Sequence, residues 1–112
     1  MEKYQVSYSE DAVQDLRDIY EYIAFELKEP GIAIAQTRRI RDSIRRLDIF
    51  PARNKAVEWE PWHSIGMHQM SVDHFIVFYT VSVKDFSVNV LRIFYGKRDI
   101  QGHIQKDHEP LP

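Results

Sequence analysis

The chain has 112 residues, no cysteine and a formal net charge of -2. That length suits one domain with a single core, and the missing cysteines exclude disulfides, thiolate catalysis and cysteine-based zinc sites. The near-neutral total argues against a dedicated nucleic-acid binder, which is usually strongly basic. The charges are segregated, however: seven acids crowd Glu10–Glu29 and five arginines crowd Arg38–Arg46.

Tyr4, Val6 and Tyr8 alternate with Gln5 and Ser7, the pattern of a short half-buried strand. Ser9 follows as a helix N-cap, with Glu10 and Asp11 in a first turn that favours negative charge. Ala12, Leu16, Ile19, Tyr20, Ile23 and Leu27 then fall on one helical face. Pro30-Gly31 is read as the break, and Ala33, Ile40, Ile44 and Leu47 as the inward stripe of a second helix ending near Phe50-Pro51. So short a link predicts an antiparallel helical hairpin, its acidic and basic members joined by cross-helix ion pairs.

Residues 52–64 are irregular and contain Arg53, Lys55, Trp59, Trp62 and His63. Three strands are predicted next, over Ile65–Val72, Phe75–Val83 and Ser87–Tyr95. The turns Asp73-His74 and Lys84-Asp85-Phe86 between them make them antiparallel neighbours. The first strand is expected beside a strand of this meander. The result is an α+β layer fold: an N-terminal strand, a two-helix antiparallel hairpin and a three-stranded antiparallel meander, the helices on one face of an antiparallel sheet. One domain is expected over residues 1–104, with a frayed polar tail at 105–112. No apolar run is long enough to span a membrane and no cationic-then-apolar leader opens the chain, so a cytoplasmic protein without a membrane partner is expected.

Four phrases resemble the RelE/ParE superfamily of toxins from bacterial type II toxin–antitoxin modules. They are YQVSYSEDAVQDLRDIYEYI at Tyr4–Ile23, RRLDIFP at Arg45–Pro51, GMHQMSVDHFIVFYTV at Gly66–Val81 and VLRIFYGKRDI at Val90–Ile100. The resemblance implies one fold with two activities. RelE-like members are metal-independent endoribonucleases that cut messenger RNA in the ribosomal A site; ParE-like members inhibit DNA gyrase without nuclease chemistry. Both are neutralised by a cognate antitoxin that wraps the toxin. Arg98, in Gly96-Lys97-Arg98, stands where RelE-like enzymes carry a catalytic arginine. The other active-site cations do not carry over: an arginine pair of many relatives is His68-Gln69 here, and further family positions hold Ile76 and Ile104. The long helix pair resembles the ParE-like branch.

Metal-free RNA cleavage needs a base, an acid and cations that steady the crowded phosphorane. Arg98 suits the last task through its planar fork, and His68 and His103 titrate in the right range for the first two. Each also has an ordinary reading: Arg98 as a partner of Asp99 or a strand cap, His68 as a polar residue on a wet face, His103 as part of the tail. Lys97, Arg53 and Lys55 are candidate RNA phosphate contacts, or plain solvated charge. Trp59 and Trp62 can stack a base or receive an antitoxin side chain, but more commonly seal a loop over a core. Arg38, Arg41 and Arg45 share one helical face, read chiefly as partners of the acidic helix, with a surface for rRNA or an acidic antitoxin segment as the alternative. The meander is apolar on both faces, which suggests a groove for the antitoxin on the face away from the helices. No histidine has metal-ligand spacing, so neither metal nor cofactor is expected. The expected protein is a toxin that cleaves mRNA on ribosomes, with the ribosome, mRNA and an antitoxin as partners. A ParE-like gyrase inhibitor is the alternative that better explains the missing cations, and a degenerate antitoxin-binding module is a third.

Overall fold

Gln5–Tyr8 forms the first strand, β1, with Val6 and Tyr8 packed against the core; the computed structural model describes residues 3–96. Ser9 then ends the strand and starts helix α1 (Glu10–Glu21) with one side chain. Its Oγ accepts from the Ala12 N–H at 3.0 Å and donates to the Leu91 carbonyl at 2.8 Å, so the predicted cap also pins the helix to the sheet. The helix continues as a π-helical stretch, Tyr22–Glu26. The wider turn rotates the apolar stripe off its line. Ile23 stays buried, but Leu27, predicted to face inward, is 52% exposed.

Pro30-Gly31 does not separate the helices. Lys28 makes the reversal with a φ of 57°, and Pro30 occupies the first turn of α2 (Pro30–Arg45), where its missing N–H costs nothing. Ala33, Ile40, Ile44 and Leu47 are fully buried, as their spacing predicts. Two short 3-10 turns, Arg46–Asp48 and Pro51–Arg53, follow. The meander then runs through β2 (Met67–Val72), β3 (Phe75–Ser82) and β4 (Ser87–Tyr95).

The sheet has the order β1-β4-β3-β2. It is mixed rather than antiparallel throughout, because β1 lies parallel to β4, with Gln5 opposite Ser87 and Tyr8 opposite Val90. The parity of the connections dictates this. Two antiparallel helices return the chain to the level where β1 began, so β2 sets off in the same direction as β1, and so does β4 after two reversals. The main core lies between helices and sheet, built from Ile40, Ile44, Leu47, Val77, Tyr79, Val88, Val90 and Ile93.

The expected cross-helix ion pairs do not form among the described residues; the charges reach the sheet instead. Arg39 pairs with Asp73 in the β2–β3 turn at 2.8 Å, and Asp15 pairs with Arg92 of β4 at 2.8 Å. Arg45 pairs with Asp42 of its own helix at 3.1 Å. Both helices rest on the sheet, so α1 and α2 turn toward strand residues before they turn toward each other.

Candidate functional site

Two ends of the sheet frame the residues singled out by sequence. At the upper end β4 finishes at Tyr95, and the Gly96 N–H donates to the His74 carbonyl at 2.7 Å. The Asp73-His74 turn is therefore the neighbour of Gly96, the residue that follows β4. Lys97, Arg98 and His103 themselves lie outside the described residues.

The turn is held rigidly. Asp73 sits at a φ of 55°, a backbone that aspartate tolerates better than most residues. Its Oδ2 accepts from Arg39 Nε at 2.8 Å and from Gln36 Nε2 at 2.9 Å, and Arg39 Nη2 donates on to Gln36 Oε1 at 3.2 Å. The Arg39 hydrogen bond, then that of Gln36, holds the Asp73 carboxyl below the ordinary aspartate range.

His68 lies at a different level. It stands opposite Tyr79, which stands opposite Val90. Six residues of strand separate Val90 from Gly96, about 20 Å at roughly 3.3 Å per residue. The His68 ring stacks on Tyr79 with centroids 5.6 Å apart, and its Nδ1 lies 2.9 Å from the Asn54 carbonyl. A carbonyl only accepts, so Nδ1 carries a proton there. Asn54 Nδ2 in turn donates to the Tyr79 hydroxyl at 3.0 Å, and that hydroxyl donates to the Pro51 carbonyl at 2.6 Å. Burial raises the Tyr79 phenol above its usual pKa, against the pull of Asn54 and Arg53. His68 thus helps fasten the irregular segment to the sheet.

Arg53 has a similar task. Its Nη1 donates to the carbonyls of Ile49 at 2.5 Å and of Arg46 and Phe50 at 3.3 Å, satisfying acceptors left open past the end of α2. Lys55 is exposed, and its carbonyl accepts from the Gln69 N–H at 2.8 Å. With the Val57 N–H donating to Met67 O, this lays 55–57 along the outer edge of β2. The structure brings Arg53, Lys55 and His68 into one neighbourhood, the join between the irregular segment and β2, and leaves His68 well away from Gly96.

The sheet face away from the helices is only partly open. Trp62 is buried, with Trp59 packed beside it, over a second cluster of Val57, Met67, Phe78 and Phe94. The tryptophans cover that part of the face, and Trp62 is only 6% exposed. What remains is an open concavity of about 520 Å³ lined by Trp62, Ile65, Thr80, Val81, Ser82, Ser87, Asn89 and Leu91. A second groove of about 580 Å³, at the lower end, is lined by Tyr4, Phe50, Pro51, Ala52, Val81, Val83 and Phe86. Among the described residues neither lining carries a charged side chain. Among the described residues no three histidine, aspartate or glutamate side chains come together to hold a metal ion, and no helix is long and apolar enough to cross a membrane.

Asp15 and Arg92 escaped the sequence reading. Both are nearly buried, at 12% and 14% side-chain exposure. Asp15 accepts from Arg92 Nε and Nη2 and also from the Ile93 N–H at 2.9 Å. Arg92 further lies 4.5 Å over the Phe94 ring. The available signal was an arginine inside an apolar strand, which demands a partner.

No curated protein sequence matches the chain. Among solved structures, a chain of the chromosomal ParDE TA system from P. aeruginosa is similar, at 20% identity and a TM-score of 0.67. That match covers 83% of this chain and 96% of the other. The RelBE2 toxin–antitoxin complex from Mycobacterium tuberculosis aligns at 20% identity and TM-score 0.61, covering 85% and 93%. A mutant E. coli RelE toxin in the free state aligns at 11% identity and TM-score 0.65, covering 96% and 99%. At these identities the likeness shows the fold. The family described as "ParE toxin of type II toxin-antitoxin system, parDE" matches residues 6–100, which take in both helices and all four strands of the sheet but the first residue of β1. The chain belongs to the ParE toxin family of type II toxin–antitoxin systems.

Proposed function

We propose that this toxin acts by binding its target rather than by cutting RNA, that the target is DNA gyrase, and that a cognate antitoxin neutralises it. The observation that carries this reading is the match of residues 6–100 to the ParE toxin family; among the described residues, neither concavity is lined by a charged side chain. A metal-free ribonuclease site gathers cations around a phosphate, whereas an uncharged, partly apolar surface suits a protein partner. Two of the three described candidates, His68 and Arg53, are engaged elsewhere, while Lys55 is exposed. His68 holds Asn54, and Arg53 holds the carbonyls past α2. Membership of the ParE branch supports gyrase as the target and an antitoxin as the partner.

Two assays test this side by side. In supercoiling reactions with purified gyrase, the protein is expected to stop the introduction of supercoils. In a purified translation system lacking gyrase, primer extension is expected to show intact message. Cuts at codons only when ribosomes are engaged would overturn the proposal and restore the nuclease reading. Arg98→Ala, Lys97→Ala and His103→Ala would then be the first variants to examine.

A further inference from the structure

The tip of the helical hairpin carries apolar side chains that the core does not use. Of the eleven large apolar residues exposed among the described ones, five fall here: Tyr22, Phe25, Leu27, Ile32 and Ile34. Ile23 and Ala24 pack on Ala33 and so join the two helix ends, which leaves the residues on either side of that seam facing outward. The ring of Phe25 stands edge-on to Tyr20 at 6.5 Å and remains 68% exposed. The backbone beneath is tied down. Leu27 N–H donates to Tyr22 O, Glu29 N–H to Ile23 O and Ala33 N–H to Glu29 O, each at 3.0 Å. The crest is thus presented on a pre-organised turn, which lowers the ordering cost of an encounter.

Charge decides what can cover this crest. From Asp18 to Gly31 the chain has four acids and one base, Lys28. Glu21, Glu26 and Glu29 are exposed and have no ion-pair partner among the described residues. A nucleic acid and an anionic membrane surface would both bring phosphates against these carboxylates. A second copy packed tip to tip would bring the same acids together. A cationic protein surface with apolar pockets meets both the charge and the exposed rings. An enzyme that holds DNA must carry lysines and arginines along its path, so gyrase has a surface of that kind.

We propose that the crest of the helical hairpin is the surface that engages the target, seated on a cationic, DNA-handling surface of gyrase. Phe25, Tyr22 and Leu27 act as the apolar anchors. Glu21, Glu26 and Glu29 meet lysines and arginines around them, which steers the approach and fixes its orientation. This rests on the gyrase half of the proposed function, naming the surface the toxin uses, and not on the antitoxin half.

The test measures binding of the full chain to purified gyrase by surface plasmon resonance alongside inhibition of supercoiling. The parent is expected to bind, more weakly as salt rises. Phe25→Ser with Leu27→Ser should weaken binding and inhibition about tenfold or more, and Glu21→Lys with Glu26→Lys should do the same. Val13→Ser, exposed in the first turn of α1, should leave both unchanged. Circular dichroism spectra should match the parent's, because every substituted residue is exposed. The glutamate pair leaves the apolar contacts in place, so it decides the matter even where the serine pair fails to fold. A parent that neither binds nor inhibits overturns the gyrase reading and this one together. A parent that inhibits, with folded crest variants that inhibit equally, overturns this one alone. Crest-dependent binding to phosphatidylglycerol vesicles, or a parent dimer that the serine pair dissolves, would also overturn it, assigning the crest to a membrane or to a second copy.

Discussion

Single side chains here do the work that longer elements do elsewhere. Asp15 stands beside β4 where β1 has stopped, and takes the Ile93 N–H together with the Arg92 guanidinium. Removing one partner strands the other nearly buried charge, so Asp15→Ala should cost about 3 kcal/mol or more in urea unfolding. Tyr79→Phe should cost about 1–3 kcal/mol by cutting the bonds to Asn54 and Pro51. It should also change the alkaline limb. The folded phenol titrates above its usual value of about 10, so its contribution is complete below that value and is lost as the pH rises through the folded pKa. The variant should show a shallower loss of stability there. Asp73 has the opposite sign. Its folded pKa is lowered, so its contribution is present above about pH 4 and disappears as the pH falls through the lowered value. Urea midpoints at neutral and acid pH should therefore differ less in Asp73→Asn than in the parent. None of these partnerships is visible in the sequence, because each joins residues more than twenty positions apart.

At the scale of elements, periodicity carried most of the information. The cap at Ser9, the buried stripe of α2 and the extent of β4 all follow from spacing and residue type. Ile44→Ala should accordingly cost about 2–5 kcal/mol. Periodicity failed where the helix changed its own pitch: the π-helical stretch exposes Leu27, and no residue in Tyr22–Glu26 announces it. It was silent too on the irregular segment, whose two tryptophans cover Phe78 and Phe94. Trp62→Ala should open that cluster, lowering stability by about 3–5 kcal/mol and raising binding of an apolar dye. The candidate site was legible only as a set of residue types. Sequence left the distance between His68 and the end of β4 open; the register sets them well apart.

The sheet is closed by a pairing between β1 and β4, the first and last of the described strands, and the parallel sense of that pairing follows from counting reversals once the helices are known to form a hairpin. The edges are treated unequally. Residues 55–57 line the far edge at β2, and the Asp15 carboxylate finishes β4 beyond the end of β1. An unpaired strand edge invites aggregation. If two copies joined β1 to β1 in antiparallel fashion with their helices on one face, the Arg41 and Arg45 side chains of each would be driven toward those of the other. Such a pairing would close a dimer and go no further, and like-charge repulsion would oppose it. High salt, which screens that repulsion, is the condition under which the free protein should first form such a dimer.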